Sequence, residues 1–352
     1  MRIPDRAERY YEKTRLLVFS EQAQIRHERV SDIVERFATG DVLVVNRSAT
    51  LPSSFTARLG TRKEDEAFEI RLAAFQGPDP RTPLHWQAIA FGAGDWRQTT
   101  ETRGAPPVLN RGDILYLGDD PAEETLTARI ERVEEGRLLT LAFIAPTDSA
   151  ALIQAMYRHG KAIQYAYHKA PLQSWDQQTL FSGPPVSVEP PSASFALTWE
   201  LLLALREKGV HIQTLLHSAG ISSTGSEDLD QRLPLPEWYQ IPEATVTAIQ
   251  KAREEGKRVV AWGTTVMRAL ESATQKGTLE AGEGMAHLQI RPGYRFRVVN
   301  ALVTGMHEPE ASHMHILKAL CPLKQLQQGY LEAARKAYRG HEYGDLSLLS
   351  CG

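Results

Sequence analysis

The stretch Arg258-Val259-Val260-Ala261-Trp262-Gly263-Thr264-Thr265-Val266-Met267-Arg268-Ala269-Leu270-Glu271 joins two periodicities. Its first half is a short apolar run with β-branched residues, which predicts a buried strand. Gly263-Thr264-Thr265 interrupts that run, and Met267, Leu270 and Glu271 then take up helical spacing. A strand, a tight turn and a helix predict an α/β sheet. The turn leaves the unpaired N–H groups of the helix start, plus two hydroxyls, at the carboxyl end of a strand, where open α/β sheets bind ligands. The same unit with a Thr cap also serves simply to build a fold, so the neighbouring sequence has to decide.

Working outward, Arg291-Pro292-Gly293-Tyr294-Arg295-Phe296-Arg297-Val298-Val299-Asn300-Ala301-Leu302-Val303-Thr304-Gly305-Met306-His307 predicts a Pro-Gly turn, an alternating strand and a loop ending in His307 ahead of Pro309. Upstream, the helix pattern Ala244 to Glu255 closes at Gly256 and feeds the central strand. Val42-Leu43-Val44-Val45-Asn46 is apolar enough to be a strand covered on both faces, and Arg15-Leu16-Leu17-Val18-Phe19 is another short strand. Ser31 to Phe37, Ser149 to His159 and Glu200 to Glu207 have helical spacing, and Val210 to Leu216 reads as the strand behind the last of these.

Between Leu51 and about Pro146 the pattern changes. Six short runs, Phe55–Leu59, Ala67–Leu72, Trp86–Phe91, Ile114–Leu117, Leu126–Ile130 and Leu138–Phe143, are split by Gly, Pro, Asp and Asn. They predict a small antiparallel β-barrel. The charged turn Arg62-Lys63-Glu64-Asp65-Glu66 reads as a solvated edge.

The length of 352 residues fits two domains, or one large domain carrying an insertion. With Lys+Arg 40 against Asp+Glu 43, a net charge of −3, a nucleic-acid partner would have to be held by a local basic patch. Two cysteines, Cys321 and Cys351, are too few for a disulfide framework or a cysteine metal site and suit a reducing compartment. No apolar run reaches membrane-spanning length, and Met1-Arg2-Ile3-Pro4-Asp5 opens no signal peptide. The expectation is a cytoplasmic protein without a membrane partner. His307, His313 and His315 invite a metal reading, but on a helix His313 and His315 point to different faces, and no metal is expected.

Taken in order, several motifs resemble the S-adenosylmethionine:tRNA ribosyltransferase-isomerase family of queuosine biosynthesis. They are Gly263-Thr264-Thr265 with Arg268 and Glu271, Pro292-Gly293-Tyr294 with Phe296, Thr304 with His307 and Pro309, and Tyr338-Arg339 with Tyr343-Gly344-Asp345. The resemblance runs nearly end to end and includes Asn46, Tyr167, Gln178-Thr179, Pro191, Ala193, Thr198 and His217. It breaks at Arg47, Ala49, Ala196, Leu235 and Gly305, with Ala196 and Leu235 standing where the family carries histidines.

The resemblance implies an α/β domain, residues 1–50 and 147–352, with a barrel inserted at 51–146. It also implies transfer of the ribosyl part of S-adenosylmethionine, a co-substrate, to a 7-aminomethyl-7-deazaguanine base in the tRNA anticodon loop. That chemistry needs a base, a proton donor for departing adenine, and surroundings that tolerate a sulfonium. By position, His217 and His307 are the proton-transfer candidates and Glu237 the nearest carboxylate. Gly263, Thr264, Thr265 and Arg268 would cradle the co-substrate, and Tyr167, Tyr294 and Phe296 would stack on it. Arg335, Lys336 and Arg339 are candidates for phosphate contacts. Because of the replaced residues three readings stand open: a family enzyme with a reworked site, a paralogue using another acceptor, or a non-catalytic binding relative. The oligomeric state stays open too.

Overall fold

A computed structural model describes residues 13–20, 24–60, 66–77, 84–119, 126–275, 277–307 and 313–350. Strands β1 (Arg15–Phe19) and β2 (Ile25–Arg29) form a hairpin, and a 3₁₀ turn at Val30–Arg36 stands where an α-helix was expected. Then come β3 (Val42–Asn46) and the short β4 (Ala49–Thr50). Six strands follow: β5 (Ser54–Arg58), β6 (Phe68–Phe75), β7 (His85–Phe91), β8 (Ile114–Leu117), β9 (Thr127–Glu134) and β10 (Leu138–Ala145). They close on themselves in the order β10-β7-β6-β5-β8-β9, every pairing antiparallel. This is the expected barrel. Its interior is filled by Phe55, Phe75, Trp86 and Phe91, all fully buried.

The chain returns through α1 (Ser149–His159), β11 (Pro185–Ser187), which pairs with β4, and α2 (Trp199–Glu207). Next are β12 (His211–His217), α3 (Glu227–Asp230), β13 (Glu237–Ile241), α4 (Glu243–Glu254), β14 (Val259–Trp262) and α5 (Thr264–Ala273). The end of the chain supplies β15 (Gly282–Ala286), β16 (Ala301–Gly305), α6 (Met314–Leu320), α7 (Leu323–Arg335) and β17 (Leu346–Ser350).

A nine-stranded sheet runs β15-β13-β12-β3-β14-β16-β17-β1-β2. Its centre, β12-β3-β14-β16, is parallel, which requires crossover helices, and β3 is buried along its whole length. One face packs Val44, Ala261 and Leu302 against α4, α5, α6 and α7; the other packs Leu43, Val260 and Val303 against α2 and the Val30–Arg36 turn. The barrel core continues into the sheet corner, where Phe75 meets Trp238 edge to face at 6.2 Å. Among the described residues no helix is long and apolar enough to cross a membrane.

One expectation is corrected. The alternating run Tyr294–Asn300 is not a strand, and the ladder begins at Ala301. The N–H groups of Arg297, Val298 and Val299 donate instead to the buried Glu271 carboxylate, at 2.9, 3.0 and 2.9 Å. A carboxylate that accepts three backbone N–H groups replaces the missing strand partner. The charged turn at 62–65, the residues 308–312 and Cys351 lie outside the described residues.

Candidate functional site

The parallel strands set the site. In register, Leu215 lies beside Asn46, Val45 beside Trp262, and Trp262 beside Val303. The chain therefore leaves one edge of the sheet at His217, Asn46, Gly263 and Gly305, and side chains far apart in sequence meet there. Gly263 has φ +105°, a backbone conformation that L side chains rarely adopt, and its N–H donates to Val303 O at 2.8 Å. That turn aims the start of α5 along the edge. Thr265 Oγ1 is buried there without a hydrogen-bond partner among the described residues.

His217 is fully buried. Its backbone is fixed by Asn46, which accepts from its N–H at 3.1 Å and donates to its carbonyl at 2.9 Å. Among the described residues neither ring nitrogen has a hydrogen-bond partner. Nε2 lies 3.3 Å from Glu237 Oε2. Burial, and then the charge of Arg268, hold the imidazole well below its ordinary pKa, so this contact is neutral histidine against carboxylate and not an ion pair.

Glu237 is held from two sides, by the Arg268 guanidinium on Oε2 and the Gly220 N–H on Oε1 at 2.5 Å. A Cβ on Gly220 would come within 2.6 Å of Ala73 O and 2.8 Å of Glu237 Oε1, so glycine is needed for this approach. Burial pushes the Glu237 carboxyl upward against the pull of Arg268. Arg268 spends its other donors on the carbonyls of Leu288, Leu235 and Ala286, at 2.9, 2.9 and 2.6 Å. These donors are spent on protein groups, where the sequence reading made Arg268 part of the co-substrate cradle.

At the other end of the edge, His307 Nε2 is 2.8 Å from Thr304 Oγ1, and its backbone N–H donates to Tyr330 Oη at 3.2 Å. Its ring lies flat on His313, centroids 4.7 Å apart and 7° from parallel. Burial and the neighbouring His313 and His341 rings push His307 well below the usual imidazole range; His313 is pushed down to about 4 by burial and Arg268. Arg268 thus acts on both His217 and His313. Tyr167 joins this end, its ring 4.5 Å from that of His341 and tilted by 35°, and the His341 N–H donates to Met306 O at 3.2 Å.

Tyr294 and Phe296 are placed elsewhere. Tyr294 Oη donates to Glu271 at 3.0 Å, two turns along α5 from Gly263, and Asn300 pairs with Val259 at the opposite end of β14. At 1.5 Å per residue that is roughly 10 Å of helix away from the turn. Arg335 and Lys336 are exposed at the end of α7. Arg15 donates to Lys336 O at 2.6 Å and pairs with Asp345, and Leu346 pairs with Gly305, so this patch borders the same sheet edge. Arg339 is 3.6 Å from Asp345 and is less available to a ligand. Sequence reasoning had Asn46 only as a retained motif residue and His341 only as a basic group near the chain's last helix, and took His313 only as a metal candidate. Among the described residues no group of three or more metal-capable side chains forms.

Buried imidazoles and a carboxylate are thus gathered at the carboxyl edge of the parallel strands, the edge at which open α/β sheets bind ligands. Comparison with known proteins is more specific. Residues 2–349 match the family described as Queuosine biosynthesis protein, and the chain belongs to that family. It is 34% identical over 340 residues to the S-adenosylmethionine:tRNA ribosyltransferase-isomerase of Thermus thermophilus, covering 95% of this chain and 92% of that protein. The protein of the same name from Magnetococcus marinus is 32% identical over 342 residues, with 95% and 87% covered. A crystal structure of an S-adenosylmethionine tRNA ribosyltransferase from Thermotoga maritima superposes with a TM-score of 0.49 at 24% identity, covering 96% of this chain and 93% of that one.

Proposed function

We propose that this protein transfers and isomerises the ribosyl moiety of S-adenosylmethionine onto the 7-aminomethyl-7-deazaguanine base of tRNA in the cytoplasm, releasing adenine and methionine. The observation that carries the reading is His217: a wholly buried imidazole, both ring nitrogens without a protein hydrogen bond among the described residues, 3.3 Å from a carboxylate. A neutral ring can take a proton, and the adjacent Glu237 carboxylate would stabilise the imidazolium that results. His307, oriented by Thr304, is the second proton-transfer group, suited to departing adenine once protonated. Gly263, Thr264 and Thr265 offer the helix-start N–H groups and hydroxyls, and Tyr167 offers a ring face. Arg335 and Lys336, both exposed, would meet phosphates beside an unpaired anticodon base, which needs no duplex opening. The same reading divides the chain into an α/β domain, residues 1–50 and 147–352, and an inserted barrel, 51–146.

A second reading keeps S-adenosylmethionine but changes the acceptor. It is favoured by Ala196 and Leu235, both buried apolar side chains at positions where the resemblance leads one to expect imidazoles. Incubation with S-adenosylmethionine and tRNA bearing the aminomethyl base, read by mass spectrometry, should give adenine, methionine and the modified nucleoside. His307→Ala should abolish turnover while leaving the melting temperature within a few degrees. Wild-type rate in that variant would sink the assignment of His307, and no adenine from the wild-type protein with this tRNA would sink the first reading.

A further inference from the structure

His307 is held at two points: its Nε2 lies 2.8 Å from Thr304 Oγ1, and its backbone N–H donates to Tyr330 Oη at 3.2 Å. Neither contact sets the plane of the ring. A hydrogen bond tolerates a range of tilt, and the torsion that turns an imidazole about its Cβ–Cγ bond has a broad, roughly two-fold profile. Yet the plane decides where Nδ1 points. That nitrogen makes no hydrogen bond among the described residues, so it is the ring atom left for a reactant. The contact on the ring face comes from His313, centroids 4.7 Å apart and planes 7° from parallel. His313 stands at the start of α6, where its carbonyl accepts from the N–H groups of Ile316 and Leu317 at 3.0 and 3.4 Å. Met314 and Leu317 of the same helix are buried in the core on that face of the sheet, so packing holds the backbone that carries the ring. His315, two residues on, is exposed, and the helical turn leaves His313, of the two, to make the contact.

We propose that His313 is a positioning residue for His307: its flat face sets the plane of the His307 ring and with it the direction in which Nδ1 is presented. The role rests on the proton transfer proposed above for His307, since only a group that exchanges a proton needs a fixed direction. Two flat rings packed 7° from parallel resist rotation of either about its Cβ–Cγ bond, because turning one drives its edge into the face of the other. A leucine at this position could fill the volume, but it presents methyl groups instead of a plane and leaves that rotation free. The imidazole face also suits a charged neighbour. Burial and Arg268 push His313 down to about 4, so it is neutral at physiological pH, and a neutral aromatic face accepts a cation over it where a charged ring would repel one. His307 carries that charge whenever it is protonated to serve departing adenine.

The test compares the wild-type full chain with His313→Leu and His313→Gln, which remove the ring, and with His313→Phe, which restores a flat face; circular dichroism checks each fold, and if one ring-less variant does not fold the other decides. In the ring-less variants kcat should fall about tenfold with KM for S-adenosylmethionine within about twofold, and His313→Phe should return kcat to within about threefold of wild type. Loss of packing alone would instead lower the melting temperature and leave kcat of the folded fraction unchanged. Proton NMR of histidine-labelled protein reads the ring without turnover: the His307 ring-proton signal, identified by its absence in His307→Ala, is displaced by the ring current of the side chain at position 313. The displacement should vanish in both ring-less variants and persist in His313→Phe. Wild-type kcat in a folded ring-less variant, a change confined to KM, or a His313→Phe protein as slow as His313→Leu would overturn the role. If the wild-type protein releases no adenine, the functional reading falls and the NMR decides alone. Signals alike in wild type, His313→Leu and His313→Gln then overturn the control of the His307 ring by His313, and a signal that moves in both and recovers in His313→Phe supports it.

Discussion

Two buried carboxylates meet arginines in this molecule, and they are held in opposite directions. In the barrel, burial works against Glu69, but Arg71, Ser54 and Arg103 overcome it and hold its carboxyl below the usual range. Its Oε1 accepts from Ser54 Oγ at 2.6 Å and Arg71 Nε at 2.7 Å, and Oε2 is paired with Arg103. At the sheet edge, Glu237 has one arginine and one backbone N–H, and burial wins. Residue type and burial are alike, and the number of donors decides the outcome. A fully satisfied carboxylate serves stability, whereas one with a neutral imidazole 3.3 Å away retains a proton-transfer partner.

The comparison can be broken at either end. The largest effect is expected from His217→Gln, which should lower kcat/KM in the tRNA assay by about 10²- to 10⁴-fold with only a small change in melting temperature. A variant that keeps wild-type kcat/KM would make His217 structural. Glu69→Gln should do the reverse, costing about 3–5 kcal/mol in urea unfolding by stranding two buried guanidinium groups, with kcat unchanged for the folded fraction. Equal stability would show that the barrel network is dispensable. Glu237→Gln should cost turnover less than the His217 change, about tenfold, because it removes the partner of the imidazolium and not the base itself.

The smallest effect concerns pH. His313 has its folded pKa pushed down to about 4, below the unfolded value near 6.5, so the unfolded chain binds the extra proton. Its contribution to stability is complete above about 6.5 and is lost as pH falls toward 4. His313→Gln should therefore flatten the dependence of melting temperature on pH across that window. An unchanged slope would mean that the ring titrates normally. His217 is depressed for the same primary reason, so the limb of the turnover profile that reports this base should hold through neutral pH and fall only well below the usual imidazole range.

Much of the fold was legible because it rests on local pattern. The period-two runs from Phe55 to Phe143 gave the barrel, and the apolar run at Val42–Asn46 gave the central strand. Tyr294–Asn300 misled because its alternation matches a strand while its backbone is satisfied by a side chain from α5, a long-range fact. His217, Glu237 and His307 could be named as candidates from motif position, but a motif does not reveal where an arginine spends its donors, and Arg268 spends its on Glu237 and the carbonyls of Leu288, Leu235 and Ala286. Strands Gly282–Ala286 and Leu346–Ser350 gave no sequence signal strong enough to name them, and the second of these carries the turn that brings His341 to His307.

By itself the sequence determined the alternation of strands and helices, the barrel, and the residue types available for proton transfer, since these follow from periodicity and side-chain chemistry that neighbours in the chain already express. The tertiary structure decided which of those residues share an edge, which carboxylate is satisfied and which imidazoles are stripped of water. Desolvation and hydrogen-bond partnership depend on groups tens to hundreds of residues away, brought together by the register of parallel strands.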